Sequence, residues 1–217
     1  MAERTVPGIL AERVVLATAG VAVLVLGLGG CKPAGRAPAL TLPATVQARG
    51  WPSPAPGGSR LVRPLRVLVP AVKVDAPVLA VNSGDKGRLQ APPLGEANLA
   101  GWDRQSPVPG QPGASVLVGH LDTKTGPAVF ARLRQVKPGD TLAVLRSDDR
   151  VAVFRATGTE QIGKAAFPVH KVFAGSAAPA IRLVTCGGRY DHARHSYEDN
   201  LIVYGEHAGT YRVADLR

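Results

Sequence analysis

Apolar residues from position 65 onward recur in short runs broken by glycine, proline and polar turns, and no long stretch there carries a helical period. Leu65-Arg66-Val67-Leu68-Val69 alternates, Ala71-Val72-Lys73-Val74 and Pro77-Val78-Leu79-Ala80-Val81 follow, and Asn82-Ser83-Gly84-Asp85-Lys86-Gly87 supplies turn chemistry. Residues 91–113 read as irregular, with Trp102 as the one large apolar anchor. Ser115-Val116-Leu117-Val118-Gly119-His120 predicts a strand ending in Gly-His, and Ala128 to Leu133 predicts a short helix. Thr141 to Leu145 and Val151 to Ala156 predict a hairpin across Asp148-Asp149-Arg150. A loop around Phe167 to His170 is followed by Ile181-Arg182-Leu183-Val184-Thr185-Cys186, which delivers a cysteine to the glycine turn Gly187-Gly188. A polar loop from Arg189 to Asn200 leads to a last strand, Leu201 to Tyr204. Short strands at this spacing predict an all-β domain, a closed barrel or a sandwich, with one or two short helices.

The N-terminal part follows a different pattern. Residues 14–31 hold no charge, after Arg4 and Arg13, so residues 1–31 read as a membrane anchor or signal segment. Leu28-Gly29-Gly30-Cys31 also resembles the lipobox of bacterial lipoproteins, which would make Cys31 a lipidation site. An uncleaved apolar helix is the favoured reading, with the N-terminus inside and the following domain outside the membrane. Residues 32–64 are rich in Pro, Ala and Gly, as in Trp51-Pro52-Ser53-Pro54-Ala55-Pro56-Gly57-Gly58, and read as an extended linker. Residues 65–217 are left as the folded domain.

Composition narrows the function classes. The net charge of +10 favours an anionic surface as a neighbour, but aromatic residues are only 5%, so the interleaved basic and aromatic pattern of a single-strand nucleic-acid binder is missing and no nucleic acid is expected. The chain has two cysteines, one in the apolar N-terminal run and one in the domain, which excludes a disulfide framework.

That leaves Cys186 to be explained. A thiolate is a strong nucleophile, but a free thiol with a pKa of about 8.5 is mostly protonated at neutral pH, so a working Cys186 needs a base or a cation beside it. His120 ends one apolar strand as Cys186 ends another, and strand ends on one barrel rim can meet. Arg194, in the loop after the cysteine, is the candidate donor to an oxyanion, because a guanidinium is always charged and offers a fork of N–H groups. Arg189 is the fallback, with less chain between it and Cys186 in which to turn back.

These residues resemble those of the sortases of Gram-positive bacteria. The resemblance rests on Val118-Gly119-His120-Leu121-Asp122, on Leu183-Val184-Thr185-Cys186 and on Asp199-Asn200-Leu201-Ile202-Val203-Tyr204, and it covers about residues 65–205. Gly126-Pro127-Ala128-Val129-Phe130, Pro138-Gly139-Asp140 and Cys186-Gly187-Gly188 before Tyr190-Asp191 are most similar to the class F branch of high-GC species. The resemblance implies a closed eight-stranded β-barrel and an extracytoplasmic, membrane-held transpeptidase. In that reading Cys186 attacks an LPxTG-like sorting signal, a thioester forms, and an amine such as a cell-wall peptide precursor takes the acyl group. His120 would serve as acid and base, Arg194 as oxyanion donor, and no cofactor is implied. The chain departs from the family where an arginine usually stands close before the last strand, since Glu198, Asp199 and Asn200 fill that approach.

Three other readings use the same residues. The same side chains could run a thiol hydrolase with water as acceptor. A non-catalytic, membrane-tethered barrel could bind an anionic wall polymer through its basic charge. His192 and His195, with Cys186 and His120, could offer zinc ligands, although the close Cys-x-x-Cys pattern is missing and no metal is expected.

Overall fold

The computed structural model describes residues 62–216 apart from 85–87 and 175. The expected membrane segment at 1–31 and nearly all of the expected linker at 32–64 lie outside the described residues. No helix among the described residues is long and apolar enough to cross a membrane.

Eight strands close into a barrel. They are β1 (Pro64–Val69), β2 (Val74–Val81), β3 (Ala100–Asp103), β4 (Gly113–Gly119), β5 (Thr141–Arg146), β6 (Arg150–Gly163), β7 (Pro179–Asp191) and β8 (Ser196–Arg212). Around the barrel they run β1-β2-β3-β4-β7-β8-β6-β5, and β5 pairs back with β1. Two seams are parallel, β2 with β3 and β4 with β7; the other six are antiparallel.

Strand alternation puts Leu117 of β4, Ile181 and Leu183 of β7, and Leu201 and Val203 of β8 into the barrel core. The same strands are also covered outside. Val116, Val184 and Ile202 pack there on Val172 of the helix α1 (Val169–Phe173). Burial on both faces explains why β4 and the first half of β7 read as nearly unbroken apolar runs. Five residues are far too few for a helix to stand alone. Complete burial of Val172 contributes about 1.5–3 kcal/mol, and Lys171 ties α1 to Glu160 of β6 at 2.6 Å, where the Tyr204 hydroxyl also donates at 2.7 Å. The cation and the hydroxyl together hold the Glu160 carboxyl below its usual range.

Four local expectations change. The stretch around Trp102 is strand β3, with all four of its residues buried and a partner on each side, although the short Ala-Gly-Trp-Asp sequence shows no alternation. Ala128 to Leu133 forms turns and not a helix, with its first three N–H groups bonded to other segments and those of Ala131 and Leu133 closing three-residue turns. Ala128 donates to Leu121, Val129 to Ala97 and Phe130 to His120, at 3.0, 2.8 and 3.0 Å, and only Leu133–Gln135 winds into a 3-10 turn. The loop at Phe167 to His170 runs into α1. Finally, Gly187-Gly188 does not end its strand. Gly188 has φ +76 at a bulge between Gly187 and Tyr190, and the ladder resumes with Tyr190 against Tyr197 and Asp191 against Ser196. The polar stretch from Arg189 to Asn200 is therefore a hairpin tip with its turn at 192–195.

Gly119 fixes the end of β4. A Cβ there would stand 2.6 Å from Phe130 Cδ2 and 2.6 Å from Val129 Cγ1, and Phe130 is fully buried. Gly119→Ala is expected to cost about 1–3 kcal/mol through this overpacking, read as a lower urea midpoint at unchanged slope. A midpoint equal to wild type would show that Phe130 gives way freely.

Candidate active site

The parallel ladder between β4 and β7 ends with Val118 beside Val184. The next residue on that face of each strand is His120 on one side and Cys186 on the other, both half-buried. On its other side Cys186 pairs with Asn200 of β8. The pairing thus joins two residues far apart in sequence on the outer wall of the barrel. A cleft of about 680 Å³ opens over them. Its apolar lining includes Val118, Val184, Phe167 and Val169, and its polar lining includes His120, Cys186, Lys164, Ser196 and Asn200.

His120 is held at two points. Its backbone carbonyl accepts from the Phe130 N–H at 3.0 Å, and its Nε2 lies 2.6 Å from the Pro92 carbonyl oxygen. A carbonyl only accepts, so Nε2 carries the proton and donates it. In the neutral ring Nδ1 is then left unprotonated, ready to take a proton.

Cys186 is a thiol held up by its surroundings. Burial pushes its pKa above the ordinary value, the positive charge of Lys164 draws it down, and the negative charge of Asp122 pushes it up again; the balance is upward. The resting side chain is therefore a neutral thiol at neutral pH. Asp122 also ties the segment after His120 to β8, because the Tyr197 hydroxyl donates to its carboxylate. That bond, with burial behind it, pushes the Tyr197 pKa up to about 12, so the phenol remains a donor throughout the physiological range.

The two arginines stand elsewhere. Arg194 lies on the hairpin turn, its side chain 85% exposed, with Nε 3.5 Å from Asp191 Oδ2. Arg189 is 82% exposed and gives both Nε and Nη2 to Glu198 Oε1, at 3.1 and 2.8 Å. Neither is among the residues lining the cleft. His192 and His195 share the turn with Arg194, and among the described residues no cluster of three or more His, Cys, Asp or Glu side chains is placed to hold a metal. Lys164 and Ser196, which sequence reasoning passed over, do line the cleft. No local pattern marks them; the fold alone brings them to Cys186.

A family model described as a sortase domain matches residues 67–208. Among solved structures, the SrtA sortase from Actinomyces oris is similar over 76% of this chain and 90% of its own, with 20% identity and a TM-score of 0.54. Sortase A of Listeria monocytogenes is similar over 68% and 88%, at 21% identity and a TM-score of 0.51. Sortase C-1 from Actinomyces oris is similar over 66% and 72%, at 20% and 0.52. At such identities the structural likeness speaks for the fold. No curated protein matches the sequence.

The upward balance at Cys186 has a direct readout. The rate of iodoacetamide labelling at Cys186 should rise with pH about a midpoint above the ordinary thiol value of 9.0. A midpoint near neutrality would mean that a stabilised thiolate is already present at rest.

Proposed function

The chain belongs to the sortase family, and from that we propose that it is a cysteine transpeptidase acting outside the cytoplasmic membrane on an LPxTG-like sorting signal. The observation that carries the reading is the juxtaposition of Cys186 and His120 at the end of one parallel ladder, facing one cleft.

The reaction follows from the protonation states. Nδ1 of His120 takes the Cys186 proton as sulfur attacks the carbonyl carbon of the signal's threonine, and the C=O electron pair moves onto oxygen. The oxyanion collapses, the C–N bond breaks, and the departing amine leaves with the proton from His120. A thioester on Cys186 remains. In the second half an amine, such as that of a cell-wall peptide precursor, attacks the thioester and gives its proton to His120. Collapse then expels the Cys186 sulfur, which is reprotonated, and a new amide bond has replaced the old one. Because the thiol starts neutral, no charged pair has to be maintained in the half-buried cleft between turnovers. The apolar lining from Val118, Val184 and Phe167 suits the leucine and proline of such a signal.

For the oxyanion, sequence reasoning names Arg194, or Arg189 in its place. Arg194 would have to leave Asp191 and swing in from the hairpin turn, and Arg189 would have to leave Glu198. The N-terminal segment would hold the enzyme at the membrane, with the linker as its spacer.

The test is incubation of the full chain with a labelled LPxTG-type peptide and an amine, read by mass spectrometry. A peptide adduct on Cys186, its transfer to the amine, and loss of both in Cys186→Ala are the expected results. His120→Ala should keep the fold and lower kcat by about 10²–10⁴-fold, the usual contribution of a general acid and base. No adduct in wild type, or a wild-type rate in the His120 variant, would overturn the reading or the assignment respectively.

A further inference from the structure

Carbonyl attack by Cys186 places a negative charge on oxygen inside a half-buried cleft, and a developing charge there needs a fixed donor close by. Among the described residues lining the cleft, Lys164 is the only lysine or arginine. We propose that Lys164 is a catalytic residue, its ammonium donating to the oxyanion of the acyl-transfer step.

Three structural observations support it. Lys164 opens the 3-10 turn Lys164–Ala166 directly after β6, whose last ladder pair is Gly163 with Asp199 of β8. Its backbone is therefore fixed to the strand that pairs with the Cys186 strand. Secondly, Nζ donates to Ser196 Oγ at 2.6 Å, and Ser196 lines the same cleft. The Ser196 hydroxyl in turn donates to the Tyr197 carbonyl at 3.3 Å, which leaves an oxygen lone pair facing the ammonium. An ammonium has three N–H donors, so with one used by Ser196 two are free for a substrate oxygen. Thirdly, the arginines that could compete are engaged away from the cleft, Arg189 with Glu198 and Arg194 with Asp191.

The charge already reaches the sulfur, since it is the positive charge that draws the Cys186 pKa down against burial. The same cation can therefore serve both charged species of the reaction in turn. As sulfur gives its electron pair to the carbonyl carbon, negative charge leaves sulfur and appears on oxygen, within the same cleft that Lys164 lines. The glutamate, aspartate and asparagine before Leu201 then pose no difficulty, because the cation comes from the end of β6.

The inference rests on the transpeptidase reading, and the experiment separates the two. Single-turnover acylation by the labelled LPxTG-type peptide is measured on the full chain for wild type, Lys164→Ala, Lys164→Gln, Lys164→Arg and Arg194→Ala, alongside the pH profile of iodoacetamide labelling. Loss of one oxyanion donor is expected to slow acylation about 10²–10³-fold in Lys164→Ala and Lys164→Gln, mainly in the rate and little in peptide affinity. Lys164→Arg should regain part of the rate, because it keeps the charge. The labelling midpoint of Cys186 should rise in Lys164→Ala and return towards wild type in Lys164→Arg, a shift that mere loss of packing would not produce. Wild-type acylation with a Lys164→Ala rate within a few-fold of it would overturn this inference alone, as would a larger loss in Arg194→Ala than in Lys164→Ala. Absence of any adduct in wild type would overturn the transpeptidase reading and this inference with it.

Discussion

The parallel pairing of β4 with β7 is the constraint on which the rest depends. Parallel neighbours cannot be joined by a tight turn, so the chain must leave the end of β4, build β5, β6 and α1, and return to lay β7 alongside in the same direction. That return sets Cys186 beside His120. It also fixes which face they share, because a slip of one residue in register would turn Cys186 into the barrel and Thr185 out of it. The apolar inner positions, Leu117, Ile181 and Leu183, resist that slip, since each would exchange the core for the outer wall.

The outer wall explains the chemistry as much as the strands do. A barrel needs only its interior filled, yet here β4, β7 and β8 are roofed outside by α1 and the turn before it. That roof supplies Phe167 and Val169 to the cleft and begins with Lys164. One short segment between β6 and β7 thus contributes both apolar lining and a cation. On the opposite side, the bond from Tyr197 to Asp122 ties β8 to the segment following His120.

Legibility in the sequence followed burial. The runs Ser115 to Val118 and Ile181 to Val184 are readable because two-sided burial leaves them mostly apolar, with Ser115 and Arg182 the exceptions, and Gly-His and Thr-Cys at their ends mark the pair. β3 was not readable, since Ala100 to Asp103 is a strand only through its two partners. The arms of the β7–β8 hairpin look like a loop in the sequence for the opposite reason. Beyond the bulge they have no core to face, and they are held by backbone pairing and by Tyr190 against Tyr197, ring centres 5.1 Å apart. With the arms taken for a loop, Arg194 was free to return to the sulfur; as part of a hairpin it is carried outward. Lys164 has no local signature at all, for it is an exposed lysine after a strand, and only the fold brings Ser196 of β8 to meet it.

The parallel seam has a kinetic side as well. Hairpins such as β5–β6 and β7–β8 close over short loops, whereas the β4–β7 seam must bring together strands with β5, β6 and α1 between them, and such long-range closure is what makes topologies of this kind slow to fold. A chain that has formed its hairpins but not this seam has a cysteine and a histidine with no cleft between them. Until the seam closes, Cys186 is an ordinary thiol, and the half-buried setting that raises its pKa exists only in the finished barrel.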